Sequence, residues 1–110
     1  MKLTGKAKKS FEEWYISTIE MVEMESIDDS FDINGFYDLP LSMQFGVIQD
    51  WADSIGFSLI INWNWTVRRY YILLRDKDKG EKICNVGQYF TMTEARNAAI
   101  EKLNQIVNEG

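Results

Sequence analysis

The stretch Phe57–Trp65 constrains this chain most. Phe57, Leu59, Ile61, Trp63 and Trp65 alternate with Ser58, Ile60, Asn62 and Asn64, the period-two pattern of a strand with one buried face. A second strand, Val67–Leu74, follows at once, with Tyr71 and Leu73 on one face and Tyr70, Ile72 and Leu74 on the other. Apolar residues on both faces predict a central strand covered on both sides. Ile83–Phe90 reads as a third strand, and the mixed-charge run Arg75–Lys82 before it predicts a long hairpin loop in water.

Helices surround this strand region in sequence. Ser10 with Glu13 forms a capping-box pattern, so a helix is expected to start there. Phe11, Trp14, Tyr15, Thr18, Ile19 and Val22 then make one apolar stripe, whose expected target is the second face of the sheet. Pro40 and Gly56 bracket a second helix, Leu41–Ile55, with Leu41, Phe45, Ile48, Ala52 and Ile55 on one face and Val47 and Trp51 flanking them. Thr91 and Glu94 give another capping box, opening a helix with Met92, Ala95, Ala99, Leu103 and Ile106 on its inner face. Its alanines allow close approach to the sheet. Between the first two helices, Glu25–Asp38 reads as an acidic loop with an Asn34-Gly35 turn signal. Ser30, Asp32, Asn34 and Gly35 have the spacing of half a calcium loop, but Leu41 stands where the bidentate glutamate belongs. The expected class is α+β: an N-terminal helix, then α-β-β-β-α with a three-stranded antiparallel sheet and helices packed on it. Residues 1–10, with Lys2, Lys6, Lys8 and Lys9, read as a basic flexible tail ahead of a single domain, 11–110.

Composition narrows the chemistry. The sequence has no histidine, which removes the commonest general base, the commonest metal ligand and any Ser/His or Cys/His pair. Cys84 is alone, so no internal disulfide or thiolate zinc site can form, and it reads as a small buried hydrophobe in a reducing cytoplasm. Glycines stand singly at turns and make no phosphate-cradling loop, and Asp50 and Asp53 read as surface carboxylates of the second helix. No cofactor or metal and no enzymatic activity are expected. No apolar stretch has the length of a membrane span or signal peptide, so a cytoplasmic protein is expected.

Charge is unevenly placed. The net charge is −5, yet from Phe11 to Trp65 there is neither lysine nor arginine, while Glu12, Glu13, Asp50 and Asp53 are among the carboxylates there. From Thr66 onward the balance turns mildly basic. An acidic pole of this kind repels phosphates and suits a basic protein surface.

From Leu41 the order helix, strand, strand, strand, helix resembles that of double-stranded RNA-binding domains. Met92-Thr93-Glu94-Ala95-Arg96-Asn97-Ala98-Ala99 aligns with that family's basic helix start, where Arg96 keeps one basic position and Met92 and Thr93 replace two lysines. The loop Asn64–Val67 lacks the family's glycine, proline and histidine. The likeness implies a shared fold and, with fewer phosphate contacts, reduced affinity for duplex RNA. The segments Leu39–Val47, Asp53–Gly56 and Glu94–Lys102 together resemble small uncharacterised proteins of phages and prophages of gut Bacteroidetes, which implies a genomic context and no activity. Tyr70–Val107 more faintly resembles strand-rich antitoxins.

These readings favour a non-enzymatic module that binds another protein, with a basic partner suited to the acidic pole. Trp63, Trp65, Tyr70 and Tyr89 are the candidate contact residues, because aromatics ringed by charge compose many binding patches. The alternative is duplex RNA binding through the basic C-terminal half, with Arg68, Arg69, Lys82 and Arg96 as candidates. Net charge disfavours it, and consecutive Arg68 and Arg69 point to opposite faces of a strand.

Overall fold

The computed structural model describes residues 3–22, 33–80 and 82–110, with side chains described over 3–18, 35–80 and 88–110. The elements are α1 (Gly5–Val22), α2 (Ile33–Tyr37), α3 (Leu41–Ser54), β1 (Phe57–Asn64), β2 (Arg69–Asp76), β3 (Lys82–Tyr89) and α4 (Met92–Glu109). The three strands form one antiparallel sheet in the order β1-β2-β3, so the expected α+β class and α-β-β-β-α order hold from α3 onward.

Register explains which side chains meet. Leu59 pairs with Leu74, Ile61 with Ile72 and Trp63 with Tyr70, and Leu59, Ile72 and Leu74 are buried beneath the helices. Helix α3 packs on β1, and α4 lies across all three strands through Ala95, Ala99, Ile100 and Leu103, all buried. Its N-terminus is capped as expected, with Glu94 N–H donating to Thr91 Oγ1 at 3.1 Å, although the Glu94 carboxylate accepts from Phe90 N–H.

The second face of the sheet corrects the sequence reading. Helix α1 packs on α2, α3 and α4, so its stripe completes a helical layer and does not cover the sheet from the other side. Phe11, fully buried, meets Phe36 at 4.8 Å between ring centroids and Trp51 edge-on at 5.5 Å, an aromatic knot between α1, α2 and α3. Trp51, a flanking residue in the helical pattern, is thus as deep as Ile48. On β2 only Ile72 and Leu74 are buried; Tyr71 and Leu73, on the opposite face, stay half-buried, and their β1 neighbour Ile60 is exposed.

The start of α1 is a second correction. It begins at Gly5 and not at Ser10, and Leu3 and Ala7 are buried, so residues 3–10 belong to the packed body and are not a flexible tail. The reason lies at the far end of the chain. Asn104 Oδ1 accepts from Thr4 N–H at 2.8 Å and Asn108 Oδ1 accepts from Ala7 N–H at 2.9 Å, satisfying amides that a helix start otherwise leaves orphaned. Gly5 adopts φ +56, and a Cβ there would come within 2.9 Å of Asn108 Oδ1. Ser10 Oγ instead accepts from Trp51 Nε1.

Two loops are also tighter than expected. Asn34-Gly35 lies within α2 and does not make a turn; Phe36 anchors that short helix in the core, and the buried Gln44 amide donates to the carbonyls of Phe36 and Tyr37. Ser30 and Asp32, the first two positions of the calcium-loop spacing, lie outside the described residues. After β2, Asp76 Oδ1 accepts from the amides of Asp78 and Lys79, and Gly80 at φ +66 closes a short turn in place of a long loop. Asp53 holds Lys77 at 2.5 Å, both exposed, and Asp50 is exposed as well. Cys84 pairs with Leu74 in β3, but its side chain is outside those described.

Candidate functional site

The end of the sheet where β1 turns into β2 gathers most of the candidate aromatics. Strand β1 stops at Asn64 because its side chain captures the chain: Oδ1 accepts from Thr66 N–H at 2.9 Å and Val67 N–H at 3.4 Å, and Arg68 N–H donates to the Asn64 carbonyl at 2.7 Å. This turn, with Arg68 at φ 55, takes up residues expected to start the second strand, so β2 begins at Arg69. It also releases Trp65 from the strand alternation. Trp65 is 82% exposed, standing edge-on to Trp63 at 6.1 Å, and Trp63 in turn meets Tyr70 edge-on at 4.8 Å. Tyr89 pairs with Tyr70 across the sheet but packs against the hydrophobic core. The structure therefore joins three of the four candidates, Trp63, Trp65 and Tyr70, in one contiguous stack, and gives Tyr89 a partly structural place.

The basic candidates do not converge. Arg68 is exposed in the turn. The Arg69 guanidinium lies over the Phe90 ring, 3.8 Å from its centroid, and its Nη1 donates to the Arg68 carbonyl at 2.8 Å. Arg96 is half-buried on α4, across the sheet from Arg69's face, and Lys82 occupies the β3 position opposite Arg75. No single stripe suited to a duplex forms from these four residues.

Sequence reasoning missed Phe90 and the face it belongs to. Phe90, the expected last residue of the third strand, lies beyond β3, 67% exposed and stacked on Arg69. Arg69, Tyr71, Leu73 and Arg75 occupy alternate positions of β2, and their β1 partners in the register are Asn64, Asn62, Ile60 and Ser58. That parity was present in the sequence, where none of these eight positions is acidic. Two non-glycine residues with positive φ, Arg68 and Gln88 (φ 99), sit at this end of the sheet, and Gln88 lies in the bulge between the Tyr70–Tyr89 and Tyr71–Gly87 pairs.

Glu13, Asp38, Asp50 and Asp53 are exposed on α1, α3 and the connection before α3, although Lys6, Lys8 and Lys9 share α1 with Glu13. Burial, followed by a 3.0 Å hydrogen bond to Glu12 and its charge, pushes the Tyr37 hydroxyl up to about 12. That pair ties α1 to α2. Among the described residues no three side chains of metal-ligating type gather, and no helix is long and apolar enough to cross a membrane. No protein-family model matches the chain, and neither does a curated protein or a solved structure.

Proposed function

We propose that this chain is a small non-enzymatic interaction module that binds another protein through its aromatic end. One observation carries the reading: a tryptophan 82% exposed, seated on a second tryptophan at a side-chain-capped turn. Tryptophan brings large apolar area at low conformational cost and is the residue most enriched where binding energy concentrates. Its partner offers an apolar recess for the indole, and the exposed Asp38 and Asp50 favour approach of a basic surface. A phage or prophage origin rests on sequence resemblance alone, and in this proposal the target is a host protein in the cytoplasm.

The test is capture of partners from host lysate on the immobilised protein, with and without nuclease, comparing wild type with Trp65→Ala. The expected result is a protein retained after nuclease and lost with Trp65→Ala, whose urea midpoint stays unchanged. Truncating a central tryptophan costs about 2 kcal/mol or more, a roughly thirtyfold loss of affinity. A partner held equally by Trp65→Ala, or released by nuclease, would overturn the proposal.

A further inference from the structure

We propose that the uncovered face of the sheet is a second binding surface, and that its ligand is single-stranded nucleic acid. The surface begins where Arg69 lies flat on the exposed Phe90 ring and runs along β2 through Tyr71 to Arg75. The two arginines stand six positions apart on the strand, a span of about 20 Å. Both helices that pack on the sheet lie on its other side, so among the described residues no element covers this face.

Charge complementarity identifies the ligand class. The chain carries a net charge of −5, yet the β1 and β2 positions of this face hold two arginines and no carboxylate. A polyanion is the ligand that gains from such segregation. The uncharged residues narrow it further. Tyr71 and Phe90 provide ring faces for unstacked bases, and the planar guanidinium on Phe90 enlarges one of them. Exposed Asn62, paired with Tyr71, places an amide beside that ring to meet base edges. A duplex hides its base faces inside the stack, so it could use the arginines but neither ring. The bulge that holds Gln88 at φ 99 lies just before Phe90 in the chain, which is backbone strain of the kind found where a side chain must be aimed.

The experiment is fluorescence anisotropy of a short fluorescein-labelled oligo-uridylate with the full chain at low salt, repeated across a salt series and with a duplex RNA. Two arginine–phosphate contacts predict a slope of log K against log salt of about −1.4, falling to about −0.7 in Arg75→Ala. Tyr71→Ala weakens binding roughly fivefold or more through lost stacking, and its circular dichroism confirms that it is folded. Lys8→Ala, which removes an exposed charge from α1, leaves affinity and slope unchanged, as does Trp65→Ala, so failure here is separable from failure of the protein-binding reading. Absence of binding, duplex bound as tightly as single strand, or an equal loss in Lys8→Ala would overturn the proposal. So would displacement of the oligonucleotide by poly-glutamate at equal charge, since the face would then accept any acidic chain.

Discussion

Replacing Gln44 by methionine tests how the helical layer is joined. Gln44 is only 5% exposed, and its Nε2 donates to the Phe36 carbonyl at 3.2 Å, which also accepts from Leu39 N–H at 3.1 Å, and to the Tyr37 carbonyl at 2.9 Å at the end of α2. Methionine keeps the length and flexibility of the side chain but donates nothing. The Phe36 carbonyl keeps its Leu39 bond and forfeits about 1 kcal/mol with the second one, while the part-buried Tyr37 carbonyl, left without a partner, costs the low end of about 1–3 kcal/mol. Against a summed loss of about 2 kcal/mol stands about 1 kcal/mol regained because methionine has no amide to desolvate. The expected net destabilisation is therefore about 1 kcal/mol, a measurable share of a typical 5–15 kcal/mol. In urea, with a slope of about 2 kcal/mol per molar, the midpoint falls by about 0.5 M. Gln44→Glu sharpens the test. A buried carboxylate facing two carbonyls has its pKa raised above the unfolded value, so its stability is greatest below the unfolded pKa near 4.3 and declines as pH rises through the folded one. Gln44→Glu should match Gln44→Met in acid and fall below it at neutral pH. A Gln44→Met protein within about 0.5 kcal/mol of wild type would refute the reasoning, because α2 would then be held by Phe36 packing alone.

Other outcomes follow from single contacts. Asn108→Ala removes the acceptor for Ala7 N–H and should cost about 1 kcal/mol, with faster amide exchange confined to the first turn of α1; global exchange would show that α1 does not open separately. Trp65→Ala should change the urea midpoint by an amount corresponding to less than about 0.5 kcal/mol, as its side chain is almost wholly in water. Phe11→Ala should cost about 3–5 kcal/mol by emptying the aromatic knot, read in the same titration; a smaller loss would mean that Trp51 and Phe36 collapse into the space. Because the Tyr37 pKa is raised from 10.0 to about 12, its contribution is full below pH 10 and is lost toward pH 12; Tyr37→Phe should flatten that decline, and parallel curves would show that the Glu12 contact does not matter.

How much of this was legible in the sequence depended on the range of the interaction responsible. The capping of α4 by Thr91 and Glu94, the bracket of Pro40 and Gly56 around α3 and the alternation of β1 are local, and each was readable. The start of α1 was not, because its acceptors are supplied by Asn104 and Asn108 from across the fold. Nor was the open face. Ile60, Tyr71 and Leu73 are apolar enough to suggest a covering element, and the stripe of α1 could bury against a sheet or against helices equally well; Phe11 against Trp51 and Phe36 decided it. Trp63 and Trp65 share a parity, so periodicity could not separate a half-buried residue from an exposed one. The separation came from the Asn64 side chain ending the strand between them.

The bonds from Asn104 and Asn108 to the first turn of α1 also order events in time. At about 5–20 residues per second, the hundred residues separating Thr4 from Asn104 take roughly 5–20 s to synthesise. Throughout that interval α1 can coil but cannot acquire these side-chain caps. The aromatic stripe of Phe11 and Tyr15 can meet Phe36 and Trp51 once α3 has emerged, but the first turn of α1 waits uncapped until α4 leaves the ribosome, and during translation that end of the helix is where chaperones and neighbouring nascent chains compete with the native partner.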